Sequence, residues 1–437
     1  MIRNRNIKSA LIRFFRLIRL RLKILFFSQK EIQFFTKDNF HLRLITDSQI
    51  SDEWTKADLM TRNGEYKKGV SIMRNILFDT QKKHKNFSSN ESYPMYLSHH
   101  WATRFGHLGQ LCMKLKFDEM FRNYESSQKI YIKDKLLFTK FEKLYNERLI
   151  PIYNINLLDF EHPSNWSEFD LMNMVKLKDD YIEHNAMHEL VYSSCKVDRS
   201  NPLVRDSFTR ENFLKHVGLG EDDWYVAVHI RNTNYRFDER KVAQSKFNPA
   251  LEAIIKAGGR IIQFGLNMTK VQLSDPDKVT YMYENEHTLN LDVSVIAHSR
   301  FLITTASGPV GVAHALGVPV LQTDSPGICL HSKTASIGTL YLPKKLIRNR
   351  QPITFSELAE TGLGYTHISL SEWQKRGIEV VENTSNEVLN ATIEMLNPEI
   401  RNSDLGKKLD FMRADYEVLA KGTFANSYLE DNSWMLI

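Results

Sequence analysis

Between about residues 224 and 324, short continuous apolar runs alternate with segments whose apolar positions recur at helical spacing. "YVAVHI" has the texture of a buried strand, predicted over 224–230. "NPALEAIIKAGG" follows as a helix stopped by Gly258 and Gly259, because glycine enters the left-handed C-terminal cap without strain. "RIIQFG" predicts a strand at 260–265 and "KVTYMY" a shorter one. "LDVSVIAHS" is then a helix, "FLITTA" a strand, "PVGVAHAL" a helix and "VPVLQTD" a strand. This alternation predicts a parallel sheet with helices on both faces, an α/β fold.

A similar texture starts near residue 95, where "YPMYLSHHWATRFGHLGQL" leads into a turn with Gly106 and Gly109. "KIYIKD" predicts a strand at 129–134, and "KLLFTKFEKLYNERL" a helix. The expected units are therefore 95–219 and 220–390, with a helical tail, 391–437, packing back on the first. Residues 52–77 suggest two short helices around Asn63-Gly64, one tetratricopeptide-like hairpin within a helical preface at 31–94.

A length of 437 residues fits more than one domain, and 42% hydrophobic with 25% charged residues is ordinary for a soluble protein. Cys112, Cys195 and Cys329 lie far apart and outside any C-x-x-C, which argues against a disulfide framework or a Cys/His zinc site. A reducing compartment is the simpler expectation.

Charge changes the picture once it is located. Residues 1–30 hold nine of the 58 basic residues and no Asp or Glu, leaving 49 basic against 52 acidic residues in the body. That balance disfavours a nucleic-acid-binding body, and no nucleic acid partner is expected. On a helix, Leu11, Phe14, Phe15, Ile18, Leu22 and Leu25 share one side, while Lys8, Arg13, Arg16, Arg19 and Lys23 fall largely opposite; Arg21 breaks the pattern. No run reaches the roughly 18 uncharged apolar residues of a spanning helix, nor is there the three-part layout of a secretory signal. An organellar transit peptide has a similar look. The arm is expected to lie on an anionic membrane surface, which would place the protein in the cytoplasm, peripheral on the inner face of the plasma membrane.

The chemistry concentrates in "FLITTASGPVGVAHALGVPVLQTD", 301–324. Thr305, Ser307 and Gly308 are expected at the carboxyl end of a parallel strand, where open α/β sheets bind ligands, with Pro309 opening a helix. Small residues let a phosphate approach closely and hydroxyls add donors, so a diphosphate is a natural occupant. The competing role for Ser307 is a simple helix cap. The turn matches neither G-x-x-x-x-G-K-[ST] nor G-x-G-x-x-G, which disfavours a P-loop ATPase and a nicotinamide dehydrogenase.

In "VAVHIRNTNYR", strand alternation puts His229 and Arg231 on one face at the ligand end. An arginine there can grip a phosphate bidentately, and Arg236 and Arg240 follow closely.

These motifs resemble a family of bacterial glycosyltransferases encoded among surface-polysaccharide genes, which pair an H-x-R strand with a downstream "SG…A…G-x-P" helix. The resemblance covers about 224–360, with "AGGRIIQFG", "ITTASGPVGVAHALGVPV" and "PITFSEL", and extends faintly to "RFGHLGQL". More distantly the chain is similar to protein O-fucosyltransferases and to heptosyltransferases. The resemblance implies two Rossmann-like domains facing a cleft, the GT-B arrangement, with a nucleotide-sugar donor on the second domain. Arg231 would hold the donor diphosphate, His229 would shape its pocket, and Ser307 and Gly308 would donate to phosphate or sugar, with Thr305 and Arg236 alongside. Two positions depart: Asn234 stands at the acid of the fucosyltransferase H-x-R-x-x-D, and Asn232 where bacterial relatives often carry an acid.

Sugar transfer needs charge stabilisation at the departing diphosphate and removal of the acceptor's proton. Arg231 and the Ser307-Gly308 turn suit the first task, so neither metal nor cofactor is expected. His107, between glycines, is the proton-acceptor candidate, with His99, His100 and Glu286 as rivals. His314 is expected to be packed. The implied partners are a nucleotide-sugar donor and a glycan or lipid-linked acceptor. A non-catalytic glycan- or nucleotide-binding protein would use the same turn without chemistry.

Overall fold

A computed structural model describes residues 197–202, 204–206, 208–231, 242–265, 269–282, 289–325, 335–355, 357, 370–402 and 424–436. Before these it describes Ile72 and seven short strands, β1 (Leu44–Ile45), β2 (Met95–Leu97), β3 (Gln128–Ile132), β4 (Leu149–Pro151), β5 (Ile155–Asp159), β6 (Met174–Leu177) and β7 (Asp180–Glu183). The basic arm and nearly all of the 52–77 hairpin lie outside the described residues.

Six of the early strands form one sheet in the order β1-β7-β6-β2-β3-β5. Only β2, β3 and β5 run parallel; β6 and β7 form an antiparallel hairpin, and β1 adds antiparallel to β7. The sheet is thus mixed where alternation led us to expect a parallel one. Leu177 pairs with Asp180, so only two residues of sequence lie between the paired strand ends. Strand β1 falls inside the stretch expected to be a helical preface. β4 pairs antiparallel with β8 (Val204–Asp206), apart from that sheet.

The second unit has the expected parallel alternation. Its strands are β9 (Tyr225–His229), β10 (Arg260–Gln263), β11 (Val279–Tyr281), β12 (Leu302–Thr305), β13 (Val320–Ser325) and β14 (Leu340–Pro343), all parallel, in the order β11-β10-β9-β12-β13-β14. The chain builds outward from β9 to one edge, crosses back, and builds from β12 to the other. Every residue of β12 and β13 is buried, as a sheet covered on both faces requires.

Helices α1 (Arg210–His216), α3 (Leu289–Ala297) and α4 (Pro309–Ala315) cover one face. The ring of Phe213 in α1 lies 6.1 Å from that of Tyr225, whose hydroxyl donates to the Val295 carbonyl of α3 at 2.9 Å. On the other face, Phe247, Leu251 and Ile254 at α2 (Asn248–Lys256) join Val388, Ala391 and Met395 of α6 (Ser385–Leu396) over Val226, Val228, Ile261 and Ile303. α5 (Leu370–Lys375) brings Trp373, fully buried, into the same core. A small antiparallel sheet, β16 (Gln351–Pro352), β15 (Lys345–Arg348) and β17 (Ile378–Val381), leads into α6. Thr384 and Glu387 close α6's first turn as a capping box.

α6 is continuous across residue 390, the expected boundary of the tail. The described part of the tail packs on the second unit. Phe424 stacks on Phe355 at 5.1 Å, and the Tyr428 hydroxyl in α7 (Asn426–Asp431) donates to Pro343 O at 2.8 Å. Glu394 accepts from the backbone N–H groups of Asn426 and Ser427 at 2.9 and 2.8 Å, satisfying donors that open α7. Among the described residues no helix is long and apolar enough to cross a membrane.

Candidate functional site

The strand order decides where a ligand fits. β9 and β12 are neighbours whose connections leave in opposite directions, so the chains diverge above their carboxyl ends and open a crevice, the topological switch point of a doubly wound sheet. His229-Ile230-Arg231 and Thr304-Thr305-Ala306-Ser307-Gly308 are the two segments leaving those strand ends. They are about 75 residues apart in the chain, and the fold brings them together.

Contact is direct. Thr304 pairs with His229 across the ladder. The Thr304 hydroxyl donates to His229 O at 2.8 Å and lies 2.8 Å from Ser307 Oγ. Ser307 Oγ in turn lies 3.1 Å from His229 Nδ1. The Ser307 hydroxyl therefore does not cap α4, whose first turn has no side-chain cap; it ties the turn across the crevice to the histidine. Phe264 supports the ring at 5.4 Å.

Thr305 is fully buried, and its hydroxyl accepts the Arg231 backbone N–H at 3.4 Å. His229, Arg231, Ser307 and Gly308 are the half-buried members of the group and form its accessible rim. Arg236, Arg240, His99, His100, His107 and Glu286 lie outside the described residues. His314 is packed as expected: it is buried in α4, with Nδ1 3.1 Å from Ser336 Oγ and Nε2 3.3 Å from the Tyr341 hydroxyl.

One strand along, Asp324 turns the chain at the end of β13 in a left-handed conformation, φ 51°. Reciprocal bonds hold it there: its N–H donates to Asn383 Oδ1 at 2.6 Å, and its Oδ1 accepts from Asn383 N at 3.0 Å. Lys246, just before α2, donates to Asp324 Oδ1 at 2.8 Å and to Glu382 at 3.1 Å. This fixes a nearly buried ammonium at the carboxyl edge of the sheet. Neither Thr304 nor this cluster was singled out from sequence. Alternation says that Thr304 and Thr305 face opposite ways, but which one meets His229 depends on β9–β12 register.

Within α3, burial raises the Asp292 carboxyl to a pKa of about 7. The chain also holds one D-x-D triplet, Asp275-Pro276-Asp277. It forms the turn entering β11 and so sits at the amino edge of the sheet, opposite the crevice. Among the described residues no group of three or more His, Cys, Asp or Glu is placed to hold a metal ion.

No known protein family and no curated protein matches the chain. Among solved structures it is similar to a glycosyl transferase family 9 protein of Veillonella parvula DSM 2008, at 12% identity and a TM-score of 0.32, over 68% of this chain and 80% of that one. It is similar also to the E. coli ADP-heptose LPS heptosyltransferase II, at 12% identity and a TM-score of 0.29, over 59% and 79%. A third is the dodecameric iron-containing heptosyltransferase TibC in complex with ADP-D-beta-D-heptose, at 11% identity and a TM-score of 0.29, over 56% and 60%. Likenesses this distant carry no functional argument; the crevice has to supply it.

Proposed function

We propose that the chain is a glycosyltransferase that binds a nucleotide-diphosphate sugar across the β9–β12 switch point and transfers the sugar to a glycan or lipid-linked acceptor. One observation carries the reading: the H-x-R segment and the Thr-Thr-Ala-Ser-Gly turn meet at the carboxyl ends of adjacent parallel strands, with Ser307 Oγ 3.1 Å from His229 Nδ1. This joins an arginine to a turn of small residues at the place where doubly wound sheets take diphosphates.

In this reading Arg231 neutralises the diphosphate as its bond to the sugar breaks and negative charge gathers on the leaving oxygen. Thr305 holds the arginine's backbone in place. Ser307 and Gly308, lacking bulk, let the diphosphate approach the chain closely. The acceptor hydroxyl gives up its proton as its oxygen bonds the anomeric carbon, and His107 is the proposed recipient. The nine cations of residues 1–30 would hold the enzyme at an anionic membrane surface, on the cytoplasmic side where lipid-linked acceptors are built.

The test is a thermal-shift screen of the full chain against UDP, GDP, CDP and ADP sugars. At least one is expected to raise the melting temperature, and Arg231→Ala is expected to abolish the shift while keeping the unliganded melting temperature. A confirmed donor whose affinity survives Arg231→Ala contradicts the site. Binding without release of nucleoside diphosphate, even with acceptor glycans present, would reduce the protein to a binder.

A further inference from the structure

We infer that Thr304 is a positioning residue that, through Ser307, fixes His229 in the tautomer with its proton on Nδ1, so that Nε2 is the ring's proton-accepting atom. The inference goes beyond the proposed function and stands whether or not a sugar nucleotide binds.

Three hydrogens decide the tautomer. Thr304 Oγ1 has one, and it lies 2.8 Å from His229 O and 3.0 Å from Thr305 O. Carbonyl oxygens only accept, so the threonine proton is committed to them. Toward Ser307 Oγ, 2.8 Å away, Thr304 can therefore only accept, and the serine proton must fill that contact. Ser307 then has only lone pairs left for His229 Nδ1 at 3.1 Å, and Nδ1 must carry the hydrogen between them.

The reverse orientation is worse at each step. If Ser307 donated to Nδ1, the two hydroxyl oxygens would face each other at 2.8 Å with no proton between them. If Thr304 supplied that proton instead, its buried contacts to both carbonyls would be left without one.

Two backbone features make the direction robust. The carbonyl at the start of the relay is His229's own, so the ring and its reference move together on β9. Thr304 is fully buried and paired with His229 in the ladder, which leaves its hydroxyl little freedom to turn. The neutral ring thus carries its hydrogen on Nδ1, and any proton the ring gains or loses does so at Nε2.

The experiment is a long-range proton–nitrogen correlation spectrum of the full chain carrying nitrogen-15 only in histidine, with His229 assigned by its disappearance in His229→Gln. The neutral ring of His229 is expected to show hydrogen on Nδ1 and none on Nε2. Thr304→Ser, which keeps the hydroxyl, should preserve that pattern, and Thr304→Val should shift the ring toward the Nε2–H form. A wild-type ring with hydrogen on Nε2 overturns the inference. So does a Thr304→Val protein that loses thermal stability but keeps the wild-type tautomer.

The expected tautomer in a protein that binds no sugar nucleotide would leave the relay standing and sink the proposed function.

Discussion

The two edges of the parallel sheet use polar groups in opposite ways. At the amino edge, long side chains reach across the fold and end on backbone carbonyls. Arg199 donates to Ser299 O and Arg300 O, Arg210 to Asp223 O and His298 O, and Tyr225 to Val295 O. The two arginines tie the turn at 198–201 and α1 to the strand starts. Between β9 and β12 at the carboxyl edge, Thr304, Ser307 and His229 bond one another, and the cluster stops at a half-buried rim that also holds Arg231 and Gly308. The difference separates polar atoms that complete a fold from polar atoms arranged for something that arrives later.

The contrast breaks most sharply at Gly317, at the amino edge. Its φ is +70°, and a Cβ there would meet the Asp198 carbonyl oxygen at 2.5 Å. Gly317→Ala is expected to cost about 3 kcal/mol in urea denaturation while the folded protein keeps its ligand affinity. Lost affinity in the folded fraction would show that the edges are coupled.

Asp292 comes next. Its folded pKa of about 7 lies above the ordinary 3.8, so between those values the folded chain holds a proton that the unfolded chain has lost. Stability should therefore fall as pH rises from about 4 to 7 and level off above, the reverse of a salt-bridged aspartate. Asp292→Asn is expected to flatten that slope and to stabilise the protein at pH 8 by about 2 kcal/mol, read as melting temperature against pH. A slope unchanged in the variant would mean that other groups set it.

Ser307→Ala probes the carboxyl edge with a smaller effect. It should weaken a confirmed sugar nucleotide about tenfold, measured by titration calorimetry, with little change in unfolding free energy. A stability loss without an affinity loss would return Ser307 to a structural role. The smallest effect belongs to the D-x-D triplet: Asp277→Asn should leave sugar-nucleotide affinity within about twofold, since single exposed charges far from a site act weakly through solvent.

Much of the second unit is legible in the sequence because buried parallel strands are continuous apolar runs. The expected 224–230 and 301–306 appear as Tyr225–His229 and Leu302–Thr305. Strand order is not written locally. That β9 lies between β10 and β12 follows from packing two crossovers on opposite faces, and this adjacency alone joins His229 to Thr304. The first sheet is harder to read, because β6 and β7 are four residues each and the two residues between them, Lys178 and Asp179, include no glycine or asparagine to announce a reversal. The described end of the tail meets Phe355 and Pro343, 69 and 85 residues back along the chain, a separation that no local pattern records. Ser307 next to a helix start reads equally well as a cap, and only its neighbour across the crevice decides otherwise.

Whether the β9–β12 crevice holds a diphosphate is decided by a crystal structure of the full chain with the nucleoside diphosphate of its best-binding sugar nucleotide. Density is expected for the two phosphates above the ends of β9 and β12, in hydrogen-bond contact with the Arg231 guanidinium and the Ser307-Gly308 turn. Nucleotide bound elsewhere, with those residues facing only protein, would contradict it.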